Sequence, residues 1–214
     1  MAEMQGSYQL CGPYYARATP GGAYYAATTT RQDPGRNMML HILRDGARVP
    51  LDGATLSRWF PDDAPEVLAE RLYRLQKLEF VEAQLTPQPP QDTRLEVLLP
   101  PWLSLLSESG RALLADDNGL CYANSGFAHE TAEELSALGG DLIQLTHRHH
   151  RLLHNNLQLA SQAWALTAPD GQAELSFHPI LIGEQPFMLV IGGAPRLNSS
   201  ALVDLIEALC RRYT

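Results

Sequence analysis

Arg111-Ala-Leu-Leu-Ala-Asp-Asp-Asn-Gly-Leu-Cys-Tyr-Ala-Asn-Ser-Gly126 is the stretch whose reading decides the fold of this 214-residue chain. An apolar run ending at Leu113-Leu114 stops at Asp116-Asp117-Asn118-Gly119. A second short run, Leu120 to Ala123, stops at Asn124-Ser125-Gly126. Two strand-length runs joined by Asn-Gly predict a β-hairpin, because both residues tolerate the positive φ of a tight primed turn.

Downstream, His129 or Thr131 opens a helical pattern with Glu130, Glu133 and Glu134 in its first turn, favourable against the helix dipole. Ala132, Leu135, Leu138, Leu142 and Leu145 recur at three- and four-residue steps down to Leu152. Gly139-Gly140 interrupts the pattern and implies either a break or the close approach of another backbone. Three strands are then predicted at Leu157–Thr167, Ala173–Ile182 and Pro186–Ile191. A last helix, capped by Asn198 or Ser199, carries Leu202, Leu205, Ile206 and Leu209 on one face.

Upstream, Pro100-Pro101 marks the expected domain boundary, followed by a short helix through Trp102, Leu103, Leu105 and Leu106. Residues 34–99 read as three helices and a hairpin. The first contains Met38, Met39, Ile42 and Leu43 and ends at Gly46. The second is capped by Asp52. The third is capped by Asp63, with Pro65 in its first turn and Val67, Leu68, Leu72, Leu75 and Leu78 inward. Phe80–Leu85 and Arg94–Leu99 read as strands around a Pro-rich loop, which together with the helices resembles a winged helix. Glu79 stands at the exit of the third helix, where many such domains have glycine. Tyr14-Tyr15 and Tyr24-Tyr25 flank Pro20-Gly21-Gly22 and suggest one more hairpin, with an aromatic face packed on helices.

Net charge is −8 and unevenly spread. Residues 1–100 hold 10 basic and 12 acidic side chains (net −2), residues 101–214 hold 6 and 12 (net −6). The acidic second half argues against a nucleic-acid footprint there. In the winged-helix-like part Asp62, Asp63, Glu66 and Glu70 crowd the end of the third helix that would meet phosphates. Arg71, Arg74, Lys77 and Arg94 are the candidate DNA contacts of the alternative reading, a transcription regulator that binds DNA as a dimer. Protein interaction is the reading the charges favour. No apolar run is long enough for a membrane span, and a cytoplasmic location is expected. Cys11, Cys121 and Cys210 share no metal-ligand spacing, and Cys121 and Cys210 sit in apolar patterns that predict buried thiols.

The order from 101 to 214 is helix, two strands, helix, three strands, helix. With Ala115-Asp-Asp-Asn-Gly119, the small-residue strand ending Ala123-Asn-Ser-Gly126, and Phe187-Met-Leu-Val-Ile191 as last strand, this half resembles the roadblock/dynein light chain family. A longin or profilin-like chain would share most of that order. The resemblance implies an α+β fold, a five-stranded antiparallel sheet flanked by helices over residues 100–214, behind a winged-helix-like module in 1–99. It also implies a homodimer formed through a sheet edge and the long helix, here Leu138, Leu142, Leu145 and Trp164. The expected role is that of a non-enzymatic bacterial adaptor whose partners include small Ras-like GTPases.

Polar side chains concentrate in His147-Arg148-His149-His150-Arg151 and His154. His150 and His154 have the i, i+4 spacing of paired metal ligands, but no glutamate follows His150 and no cysteine lies nearby. The sequence therefore assigns neither a metal nor a cofactor. His147, Arg148, His150, Arg151 and His154 read instead as a basic helix end available to a protein partner, with His149 packed inward. Gly192-Gly193-Ala-Pro-Arg196 lacks the spacing of a phosphate loop, and Ser104, Ser107, Ser109 and Ser125 lack a nucleophile-elbow frame.

Overall fold

The computed structural model describes residues 14–28, 33–88 and 94–214, and the chain divides into two compact units, 1–91 and 92–214.

In the first unit, strand β1 (Tyr15–Ala18) pairs antiparallel with β2 (Val81–Gln84), so that Ala18 faces Val81 across the pair. Between them lie helices α1 (Pro20–Thr28), α2 (Pro34–His41), α3 (Gly53–Trp59) and α4 (Pro65–Lys77). The expected tyrosine hairpin is a strand and a helix instead. Thr19 accepts the Gly22 N–H at its Oγ1 and the Ala23 N–H at its carbonyl, and Pro20 occupies the first helical position, so capping prevails over the Pro-Gly-Gly turn signal. Gly22 is essential to this packing, since a Cβ there would lie 2.1 Å from the Phe80 carbonyl oxygen. Asp33 caps α2, which runs on into a π-helical turn at Ile42–Gly46, and Asp52 caps α3 through the Thr55 N–H. The expected Asp63 cap fails: Ala64 is the cap of α4, and Asp63 pairs with Arg71 at 2.9 Å. Glu79 leaves α4 with φ of 57°, the left-handed value for which glycine is the usual residue.

The wing also differs from expectation. β2 closes on β1, and Arg94–Leu99 is no strand, because helix α5 (Leu95–Leu105) begins there and runs through Pro100 and Pro101. Two internal prolines remove the helical donors to the carbonyls of Glu96 and Val97, and both residues are exposed. Leu99, Leu103 and Leu106 are buried.

The second unit is an antiparallel sheet of order β4-β3-β7-β6-β5. Its strands are β3 (Arg111–Asp116), β4 (Cys121–Ser125), β5 (Trp164–Thr167), β6 (Ala173–Ile182) and β7 (Gln185–Gly192). Helix α6 (His129–Arg148) lies on one face. Helices α5 and α7 (Ser200–Tyr213) pack together, α5 against β3 and β4 and α7 against β6. Register and alternation put Leu113, Ala115, Met188, Val190 and Phe177 in the core under α6. Cys210 is buried as predicted, whereas Cys121 is exposed, because β4 is an edge strand that buries Ala123 instead.

The β3–β4 connection is a hairpin, but not through a primed two-residue turn. Asp116 Oδ1 accepts the N–H groups of Asn118 and Leu120, and among the turn residues only Gly119 has positive φ, at 80°. A carboxylate thus organises a wider loop in place of two left-handed residues. That loop seats against α6. A Cβ on Gly119 would lie 2.9 Å from Ala137 Cα, and one on Gly140 would lie 3.2 Å from Gly119 N. Gly139 faces Met188 in the same way, at 2.9 Å from its Cγ. The glycine pair marks close approach, and α6 is continuous through it. The predicted long strand from Leu157 shrinks to four residues: α6 gives way to a π-helical turn at Arg151–Asn156, and strand pairing starts only at Trp164.

Gly119→Ala combines a forced left-handed φ with a backbone clash, and should cost at least about 1–2 kcal/mol from the φ alone. Urea denaturation should show the midpoint falling with an unchanged m-value.

Candidate functional site

The histidine–arginine run ends α6 and enters the π-helical turn. His147, Arg148, His150 and Arg151 are exposed and His154 is half-buried. His149 is exposed as well, contrary to expectation, because α6 ends at Arg148 and the helical phase that would bury His149 is lost there. The His150 and His154 rings lie 4.6 Å apart, centre to centre, and His154 Nδ1 is 3.0 Å from the Leu159 carbonyl oxygen. No group of three His, Cys, Asp or Glu side chains suited to a metal occurs among the described residues.

The residues predicted for a dimer surface divide. Leu142 and Trp164 pack on the core beneath α6, and the Trp164 indole donates to Thr146 Oγ1 at 2.8 Å. Leu145 is half-buried and Leu138 is 42% exposed. Sequence reading missed Leu152, Leu157, Leu159 and Leu166, all exposed in the segment from the end of α6 into β5. The sequence predicts one strand from Leu157 to Thr167, but of these leucines only Leu166 lies in β5. β5 is an edge of the sheet, and Leu166, opposite Leu175, is 61% exposed.

Of the candidate DNA contacts, Arg71 is held by Asp63 and lies over the Phe60 ring, Arg74 pairs with Glu70 at 2.5 Å, and Arg94 belongs to the second unit. Lys77 is exposed. With Asp62 and Glu66 exposed at the start of α4, that surface carries little free positive charge. Beside it a cleft of about 350 Å³ includes Tyr25, whose hydroxyl donates to Asp33 and is pushed up to about 12 by burial and by that carboxylate. Asp33 Oδ1 also accepts from Gly35 N, so this carboxylate is engaged as a helix cap.

One serine–histidine pair exists inside the sheet: His178 Nε2 lies 3.0 Å from Ser176 Oγ. Both side chains are buried on the face opposite α6, so no substrate reaches them. Elsewhere Ser107 and Ser109 both donate to the Gly192 carbonyl, at 2.5 and 2.7 Å, and Ser107 Oγ accepts from Ser109 N. They fasten the α5–β3 corner to the end of β7.

No family model and no curated protein matches the chain. Among solved structures it is similar to the Roadblock/LC7 domain from Streptomyces avermitilis, at 13% identity and a TM-score of 0.38, over 56% of this chain and 94% of that one. No helix among the described residues is long and apolar enough to cross a membrane.

Burial of His178 lowers its pKa to about 4, so the folded state binds fewer protons than the unfolded chain between that value and the ordinary 6.5. Stability should be complete above pH 6.5 and fall by about 3 kcal/mol as pH drops to 4. Denaturation across that range should show a shallower pH slope for His178→Gln than for the parent.

Proposed function

We propose that the chain is a non-enzymatic adaptor that dimerises through its second unit and presents a composite surface to a protein partner. The observation that carries this reading is the edge strand β5 with Leu166 exposed, together with exposed Leu152, Leu157 and Leu159 in the segment that leads into it. An unpaired strand edge flanked by apolar side chains invites association, and a second copy offers a matching edge with closed symmetry. The exposed Leu138 on α6 extends the apolar contribution to the same helix. Light scattering of the intact chain at micromolar concentration should give twice the 23.6 kDa monomer mass. Leu159→Glu with Leu166→Glu should return a monomer with unchanged circular dichroism. A monomeric parent would remove the dimer.

The partner is a protein bearing an acidic surface, and a small Ras-like GTPase is the class that the roadblock resemblance suggests. The supporting charge is local: His147, Arg148, His150, Arg151 and His154 form a basic stretch in a half-chain whose net charge is −6. Such contrast favours selective encounter more than raw affinity. DNA is the weaker partner, since Arg71 and Arg74 are paired with carboxylates. Arg148→Glu with Arg151→Glu should weaken capture of the partner severalfold, measured by pull-down from the native cytoplasm, while the dimer mass stays unchanged. Equal capture by parent and variant would show that the basic stretch is solvated helix only.

A further inference from the structure

We propose that His150 and His154 form a bidentate site for a borderline transition-metal dication such as Zn²⁺, Ni²⁺ or Cu²⁺. The site lies within a single chain, so it does not rest on the adaptor reading. Three observations converge on it. First, the two imidazoles lie side by side with centres 4.6 Å apart. Two rings sharing one ion through nitrogen bonds of about 2.0–2.1 Å sit roughly 5 Å apart, close to the present spacing, and chelation would turn the rings from their present 41° tilt to bring the nitrogens together.

Second, the tautomer of His154 is set. Its Nδ1 faces the Leu159 carbonyl oxygen at 3.0 Å, and a carbonyl only accepts, so Nδ1 carries the proton and Nε2 keeps its lone pair. A ring N–H given to a backbone carbonyl is the usual way a protein orients a metal-binding histidine and raises its basicity. Third, that lone pair is buried and has no hydrogen-bond partner. An ion drawn between the two imidazoles would give that nitrogen a partner.

Donor chemistry selects the ion. Imidazole pairs suit zinc, copper and nickel, whereas magnesium and calcium require oxygen ligands. Two protein ligands leave the remaining positions to water, consistent with the absence of any three-residue ligand group among the described residues. Arg148 and Arg151 flank His150 in sequence, but both are exposed, so solvent and salt screen their repulsion of a dication.

The untagged full chain should take up one Cu²⁺ or Zn²⁺ per chain at pH 7.5 in a saturable titration, and release it to excess chelator. The Cu²⁺ paramagnetic resonance spectrum should carry hyperfine structure from two nitrogens. His150→Gln and His154→Gln should each weaken uptake about tenfold or more, while His147→Gln and His149→Gln leave it within twofold. His150 is exposed, so its variant tests the site even if His154→Gln disturbs the turn. The proposal is overturned if uptake does not saturate, if both site variants bind as the parent does, or if His147→Gln or His149→Gln weakens uptake equally.

Discussion

The second unit depends on how closely α6 approaches the β3–β4 loop. Gly119 and Gly140 meet backbone to backbone, and Gly139 leaves room for Met188. Any Cβ at these positions would push the helix off the sheet and open the core formed by Leu113, Ala115, Phe177, Met188 and Val190. Packed interiors tolerate such gaps poorly, because lost contacts and residual cavities both destabilise. Leu113 and Ala115 alternate with Ala112 and Leu114, which are buried on the opposite face, so one hairpin supplies both layers of the sandwich. Asp116 then fixes the loop conformation that brings Gly119 to the helix.

Elements carrying a periodic signal were legible. The hairpin, α6, β6, β7 and α7 follow from alternation or three- and four-residue spacing, and Asp52 caps α3 as a short polar residue does. The failures share a cause: local residue choice was ambiguous and tertiary context decided. Arg94–Leu99 is apolar enough for a strand, but it continues as one helix into Trp102–Leu105, with the two prolines at a stretch whose freed carbonyls belong to exposed residues. Residues 23–28 carry strand-like tyrosines, yet alanines and a Thr19 cap make them helical. Sheet position is not written in a strand's own residues, which is why Cys121 reads as buried although it lies exposed on an edge strand.

Of the candidate sites, the basic run at the end of α6 was legible from composition alone. Its pairing of His150 with His154 needed only the helical repeat, which the π-helical turn preserves closely enough for ring contact. The Leu159 carbonyl was not legible, because a loop returning to a histidine five residues back leaves no mark in residue type. Exposure of Leu152, Leu157, Leu159 and Leu166 was equally hidden: an apolar residue in a linker reads like one in a core until the chain's path is known. Arg71 and Arg74 looked available for phosphates, and their engagement by Asp63 and Glu70 followed from proximity that the sequence did contain.

The serine clamp at the α5–β3 corner has a mechanical consequence. Ser107 and Ser109 tie the entrance of β3 to Gly192 at the end of β7. Tension entering the second unit from its N-terminal side runs through α5 into β3. That strand lies between β4 and β7, so the load cannot peel a border strand one hydrogen bond at a time. It must break the two serine tethers and then slide β3 past both neighbours at once, a shear geometry in which many hydrogen bonds share the force.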